Sequence, residues 1–172
     1  MVAKVIGSIA VLTACSGFGF YCAGEMTRRL QQLRELSEAI LLLKGDIRYL
    51  RSSLPEAFAA AAVRTGAFAE VFRSVARQLG GFCTASVEEA FSIASKGCLK
   101  DTALTKQDIS MLVKLGGMLG KMDADMQLNA LEWYLEQLEG LTDTLDRENK
   151  KRALLSKSLG ILAGIFLLVI LL

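Results

Sequence analysis

The amino-acid sequence predicts an all-α protein, an antiparallel six-helix bundle between N- and C-terminal transmembrane helices. Three observations carry that reading. A charge-free apolar stretch lies at each end, apolar residues recur every three and four positions through most of the interior, and the 172 residues include a single proline. Sandwiches and barrels need many turn residues and stiff β-branched strands, which this chain lacks. Hydrophobic residues make up 52% of the chain and charged ones 22%, with mean hydropathy +0.39, more apolar matter than one soluble core of 18.6 kDa requires.

Composition also removes function classes. The 20 Lys and Arg residues against 18 Asp and Glu leave a net charge of only +2, too little for a nucleic-acid footprint, so nucleic acid is not an expected partner. Absence of histidine removes the commonest general base and the commonest zinc ligand. No nucleophile stands beside a base, no metal cluster is spaced in the sequence, and no cofactor motif is present; the expectation is a protein that is not an enzyme, with catalytic, cofactor-binding and metal residues all none.

The first element spans from just after Lys4 to Glu25 without a formal charge, the ~20 residues a helix needs to cross hydrocarbon. The last runs from Ala153 to Leu172, with Lys157 snorkelling to the headgroups. Expected domain limits are therefore 1–24, 25–152 and 153–172. Arg28, Arg29 and Arg34 follow the first span, and Lys150, Lys151, Arg152 and Lys157 precede the second, so the positive-inside rule places the middle in the cytoplasm. Arg28, Arg29, Lys150, Lys151, Arg152 and Lys157 are the topology anchors in contact with membrane lipids. Cys15, Cys22, Cys83 and Cys98 lack paired spacing and read as free thiols. A lipobox-like Leu12-Thr13-Ala14-Cys15 offers an alternative, an exported lipoprotein lipidated on Cys15, but Gly17 to Ala23 continue apolar where a mature lipoprotein turns polar.

Interior elements follow in order. Leu33, Leu36, Ile40, Leu43, Ile47 and Leu50 form a heptad seam, and nothing breaks it from the first span, which predicts one helix of about 47 residues. Ser53, Pro55 and Glu56 open a short helix ending near Arg64, by the logic of a capping box with proline in the first turn. Phe68, Val71, Phe72, Val75 and Leu79 mark the next, stopped at Gly80-Gly81. Ser86 and Glu89 cap a helix through Val87, Phe91 and Ile93, expected to stop at Gly97 in a left-handed cap. Thr105 and Asp108 introduce a helix through Ile109, Leu112, Val113 and Leu119, and Asp123 caps the last, with a seam of Leu128, Leu131, Leu135, Leu138 and Leu145.

Small residues suggest how the spans touch: Ala3, Gly7, Ala10, Ala14 and Gly17 at gaps of four and three, and Ser156, Gly160 and Gly164 every four. Other tempting features read as structural. Gly116, Gly117, Gly120 and Lys121 fail the phosphate-loop pattern at Leu115 and Met122. Asp123 and Asp125 suit a helix N-terminus, Trp133 and Tyr134 suit packing or surface, and Arg147 to Arg152 suit a lipid-facing cluster. Arg48, Tyr49 and Arg51, at the end of the first long helix, are the candidate partner contact.

Gly45-Asp46-Ile47-Arg48-Tyr49 followed by Leu54-Pro55-Glu56-Ala57-Phe58, then Leu119-Gly120-Lys121-Met122-Asp123 with Gln127, and Lys157-Ser158-Leu159-Gly160-Ile161-Leu162 entering the last span, resemble the stage III sporulation protein AB family along essentially the whole chain. Met122 departs from that pattern, where a small polar residue is expected, which moves the cap to Asp123. The resemblance implies a mother-cell membrane protein, similar in its cytoplasmic domain to the platform protein of type II secretion and type IV pilus machines. It would be a scaffold of the channel joining mother cell and forespore, partnered by a sporulation ATPase and the other channel components. A second copy of the chain is a further expected partner, and a membrane-tethered oligomerising coiled-coil adaptor unrelated to secretion is the competing picture.

Overall fold

A run of residues from Glu25 to Leu50 with no proline and apolar side chains on one side has little choice but to continue a helix. In the computed structural model that helix is α1 (Val2–Leu50), and five more follow: α2 (Leu54–Arg64), α3 (Ala69–Gly80), α4 (Val87–Cys98), α5 (Lys106–Leu119) and α6 (Ala124–Leu171). The structure describes residues 2–81, 86–99 and 102–171, with side chains for 24–81, 86–97, 99, 102–152 and 155. Among the described residues the protein is all-α, without a strand.

The chain divides into two units, residues 1–28 with 143–172 and residues 29–142. The first holds the beginning of α1 and the end of α6. Within it Arg28 lies 3.9 Å from Glu25 and Lys150 lies 2.5 Å from Asp146. Among the described residues no helix is long and apolar enough to cross a membrane. The charge-free segments expected to do so, with the packing residues Ala3, Gly7, Ala10, Ala14, Gly17, Gly160 and Gly164, lie outside the described side chains, as do Lys157 and all four cysteines.

The second unit is a helical bundle with one core. Leu33, Leu36, Ala39, Ile40 and Leu43 of α1 are fully buried, joined by Leu30 and Ile47, so α1 buries a face wider than the expected seam. Helices α2, α3, α4 and α5 pack successively. Their junction is aromatic: the Phe58 ring stands 5.9 Å from Phe72 and 5.3 Å, edge-on, from Phe91, and Phe68 lies 6.4 Å from Phe72. Such tilted and edge-to-face pairs are the arrangement the ring quadrupoles favour.

Helix starts follow the expected chemistry. The Glu56 carboxylate accepts from the Ser53 N–H at 3.0 Å and hydroxyl at 2.7 Å, and the Ser86 hydroxyl accepts the Glu89 N–H at 3.2 Å. Thr105 and Asp108 form a reciprocal box at 2.8 and 3.2 Å, and Asp123 accepts the Met126 N–H at 2.9 Å. Each satisfies N–H groups that a helix start leaves orphaned.

Several expectations are corrected. Leu50 is exposed, because α1 ends there and no neighbouring helix covers the seam's last position. Ile93 is exposed too; the buried face of α4 is Val87, Ala90, Phe91 and Ala94, at the three- and four-residue spacing that Ile93 breaks. Gly97 makes no left-handed cap: α4 runs on to Cys98, and no described glycine has a positive φ. Leu79, Ile109 and Val113 are half-buried edges of their faces rather than core. On α6 the deepest positions are Ala130, Leu131, Tyr134 and Leu138, while Leu128 and Leu135 are half-buried. Leu131, Leu138 and Leu145 of the expected seam are thus buried, and Tyr134 joins that face while Leu128 and Leu135 lie at its edge.

The glycines of α5 explain the rejected phosphate-loop pattern. A Cβ on Gly116 would stand 2.5 Å from Cδ2 of Phe91, and one on Gly120 would stand 2.9 Å from Cγ2 of Val87. They are small so that α4 can lie directly on α5.

Candidate functional site

Two polar constellations stand out in the second unit, one inside the bundle and one at its end. The inner one joins three helices. Arg29 of α1 donates from Nε and Nη2 to the two oxygens of Asp108 on α5, both at 2.9 Å, a fork that matches the carboxylate plane. Asp108 is buried, and it also accepts the Thr105 N–H that starts its own helix. Burial pushes the Asp108 carboxyl up, but the hydrogen bonds from Arg29 and Thr105 and the guanidinium charge outweigh it and hold it below the usual carboxylate range. Tyr134 of α6, almost wholly buried, has its hydroxyl pushed well above its ordinary pKa, first by burial and then by the negative charge of Asp108. Nearby in sequence, the buried Gln32 accepts the Ala103 N–H at 2.7 Å and so ties the segment before α5 to α1.

The outer constellation lies where α1 ends and α6 begins. Arg51 stops α1 by entering the left-handed region, φ 50°, unusual for a side-chain-bearing residue. The Ser52 N–H then reaches back to the Asp46 carbonyl at 3.4 Å. At the other side, Gln127 donates to the carbonyls of Leu119 (2.9 Å) and Met122 (3.1 Å), fixing the turn between α5 and α6. Between these ends opens a cleft of about 810 Å³, lined on the α1 side by Lys44, Arg48 and Arg51 and on the α6 side by Asp125, Leu128 and Glu132. Lys44 and Glu132 close one stretch of it with an ion pair at 3.2 Å. Beside the cleft the Arg48 guanidinium lies 5.8 Å from the centroid of the Tyr49 ring, and that ring is 79% exposed.

The candidate contact residues Arg48, Tyr49 and Arg51 thus come together on one accessible end, with the cleft beside them. The topology anchors are not equivalent. Lys151 and Arg152 are exposed and Lys150 holds only a local pair, whereas Arg29 is committed to Asp108. Sequence reasoning missed that commitment. The capping box marked Asp108 as a helix start, but no local signal links it to an arginine 79 positions away. Trp133 is half-exposed and Tyr134 is core, a difference hidden in two adjacent aromatics. A further buried group also went unread: Asp46 pairs with Arg64 at 3.3 Å through one oxygen, and its other oxygen has no partner. Among the described residues no cluster of His, Cys, Asp and Glu could hold a metal ion.

Fold and site together define an all-helical bundle with an open, charged cleft at one end. The chain belongs to the stage III sporulation protein AB family, whose model matches residues 4–172, and this gives it a sporulation-associated role. The stage III sporulation protein AB of Bacillus subtilis (strain 168) is 27% identical over 169 residues, 98% of either chain. A solved structure of a stage III sporulation protein AB matches with TM-score 0.64 at 22% identity, covering 72% of this chain and 97% of its own; it has the same helical fold.

Proposed function

We propose that the protein is a membrane-anchored scaffold of a secretion-like channel between mother cell and forespore, and that it passes conformational change from a cytoplasmic ATPase to the membrane components. The carrying observation is the family match over residues 4–172. Supporting it are the charge-free stretches at 5–24 and 158–172 and the cations beside them, which favour anchoring in the mother-cell membrane with residues 25–152 in the cytoplasm. The long helices α1 and α6 each contain residues of both units, and a helix is stiffer than a linker as a carrier of displacement. The end of the bundle bearing Arg48, Tyr49 and Arg51 serves as an assembly contact, and no catalytic role is assigned.

Reporter fusions at Gly80 and at both termini, with a pull-down against the sporulation ATPase, test this reading. A cytoplasmic signal at Gly80, external signals at the termini and co-purification of the ATPase are expected. An external Gly80 reporter, or no retention of the ATPase on the membrane-inserted chain, overturns it.

A further inference from the structure

The cleft end carries a combination that the chain does not use internally. Arg48 on α1, Arg51 just past its end and Asp125 on α6 line the same opening, yet among the described residues none of the three has an ion-pair partner. Exposed apolar side chains flank them: Tyr49 and Leu50 after Arg48, Met126 after Asp125, and Leu41 one turn before Lys44. Gly45, on the same stretch of α1, has nothing within 4 Å of where a side chain would begin.

Resting on the assembly-contact reading above, we propose that this end is a self-complementary surface at which two copies of the chain meet about a two-fold axis. A uniformly acidic partner would be repelled by Asp125, and a uniformly basic one by Arg48 and Arg51. A second copy brings both signs in the reciprocal arrangement, because a two-fold contact sets the α1 wall of one copy against the α6 wall of the other. Tyr49, Leu50 and Met126 supply the apolar centre, and tyrosine, methionine and arginine are residue types enriched in such contacts.

The test is a charge exchange in the full-length protein, reconstituted in nanodiscs or mild detergent, with mass measured by light scattering and by sedimentation. The wild-type chain is expected to associate in pairs. Arg48→Glu with Arg51→Glu, and separately Asp125→Lys, each put like charges across both halves of the contact and weaken pairing by about ten-fold or more. Mixing the two variants juxtaposes opposite charges again at both halves and restores a mixed pair. Circular dichroism and thermal melting of each variant establish that the fold is intact. The proposal is overturned if the wild-type chain stays single at the highest concentration reached, if either folded variant keeps the paired mass, as association through the terminal segments would give, or if the mixture stays single. Binding of the ATPase is read separately, so the scaffold reading and the pairing succeed or fail independently.

Discussion

Deleting the guanidinium of Arg29 would leave the Asp108 carboxylate buried with only the Thr105 contacts, and a stranded buried charge is among the costliest single defects. Because Arg29 is about one-fifth exposed, Arg29→Met is expected to lower the unfolding free energy by about 2–4 kcal/mol, read by urea denaturation at neutral pH. Adding Asp108→Asn to that variant should recover part of the loss, since the second change removes the stranded charge. The same pair fixes a pH dependence. Asp108 titrates lower in the folded than in the unfolded chain, so its contribution is complete above its unfolded value of about 4 and is lost as pH falls through the lower folded value. Denaturation midpoints measured from neutrality down to strong acid should show that loss in the wild type, and Asp108→Asn should remove this component of it. An unchanged acid limb in the variant would contradict the assignment.

Glycine plays opposite parts on different helices. Gly116→Ala forces a methyl against Phe91 and is expected to cost about 1–3 kcal/mol despite the better helix propensity of alanine; shrinking the obstacle with Phe91→Leu should relieve part of the clash. Gly140→Ala on α6, where a side chain would meet nothing within 4 Å, should stabilise by about 0.5–1 kcal/mol, as the propensity alone dictates. Thermal or chemical denaturation of the two variants gives opposite signs if the α4–α5 contact is as described. Caps were readable in advance because they are local: Ser53, Ser86, Thr105 and Asp123 act within three residues of themselves. Seams were readable only to within an edge. Ile93 and Leu50 look like core in a pattern of apolar letters, and their exposure depends on which helix lies beyond them.

For the protein as a whole, the anchoring reading predicts that protease added outside intact cells leaves residues 29–142 undigested, and that membranes washed with high salt retain the full-length chain; release into the wash would contradict it. Helix number, order, starts and most ends, together with part of the apolar core, were legible in the chain because propensity, capping and periodicity act over a few residues. So was the family, carried by the order of its short motifs. The site was legible in part. Arg48, Tyr49 and Arg51 could be marked as a helix tip, but their cleft exists only because α6 begins beside them. Arg29 meeting Asp108, Gln32 reaching Ala103 and Phe91 lying on Gly116 join positions far apart in the chain. Such pairings are chosen by the packing of whole helices, where burial, volume and charge must be satisfied together, and no local run of residues encodes that choice.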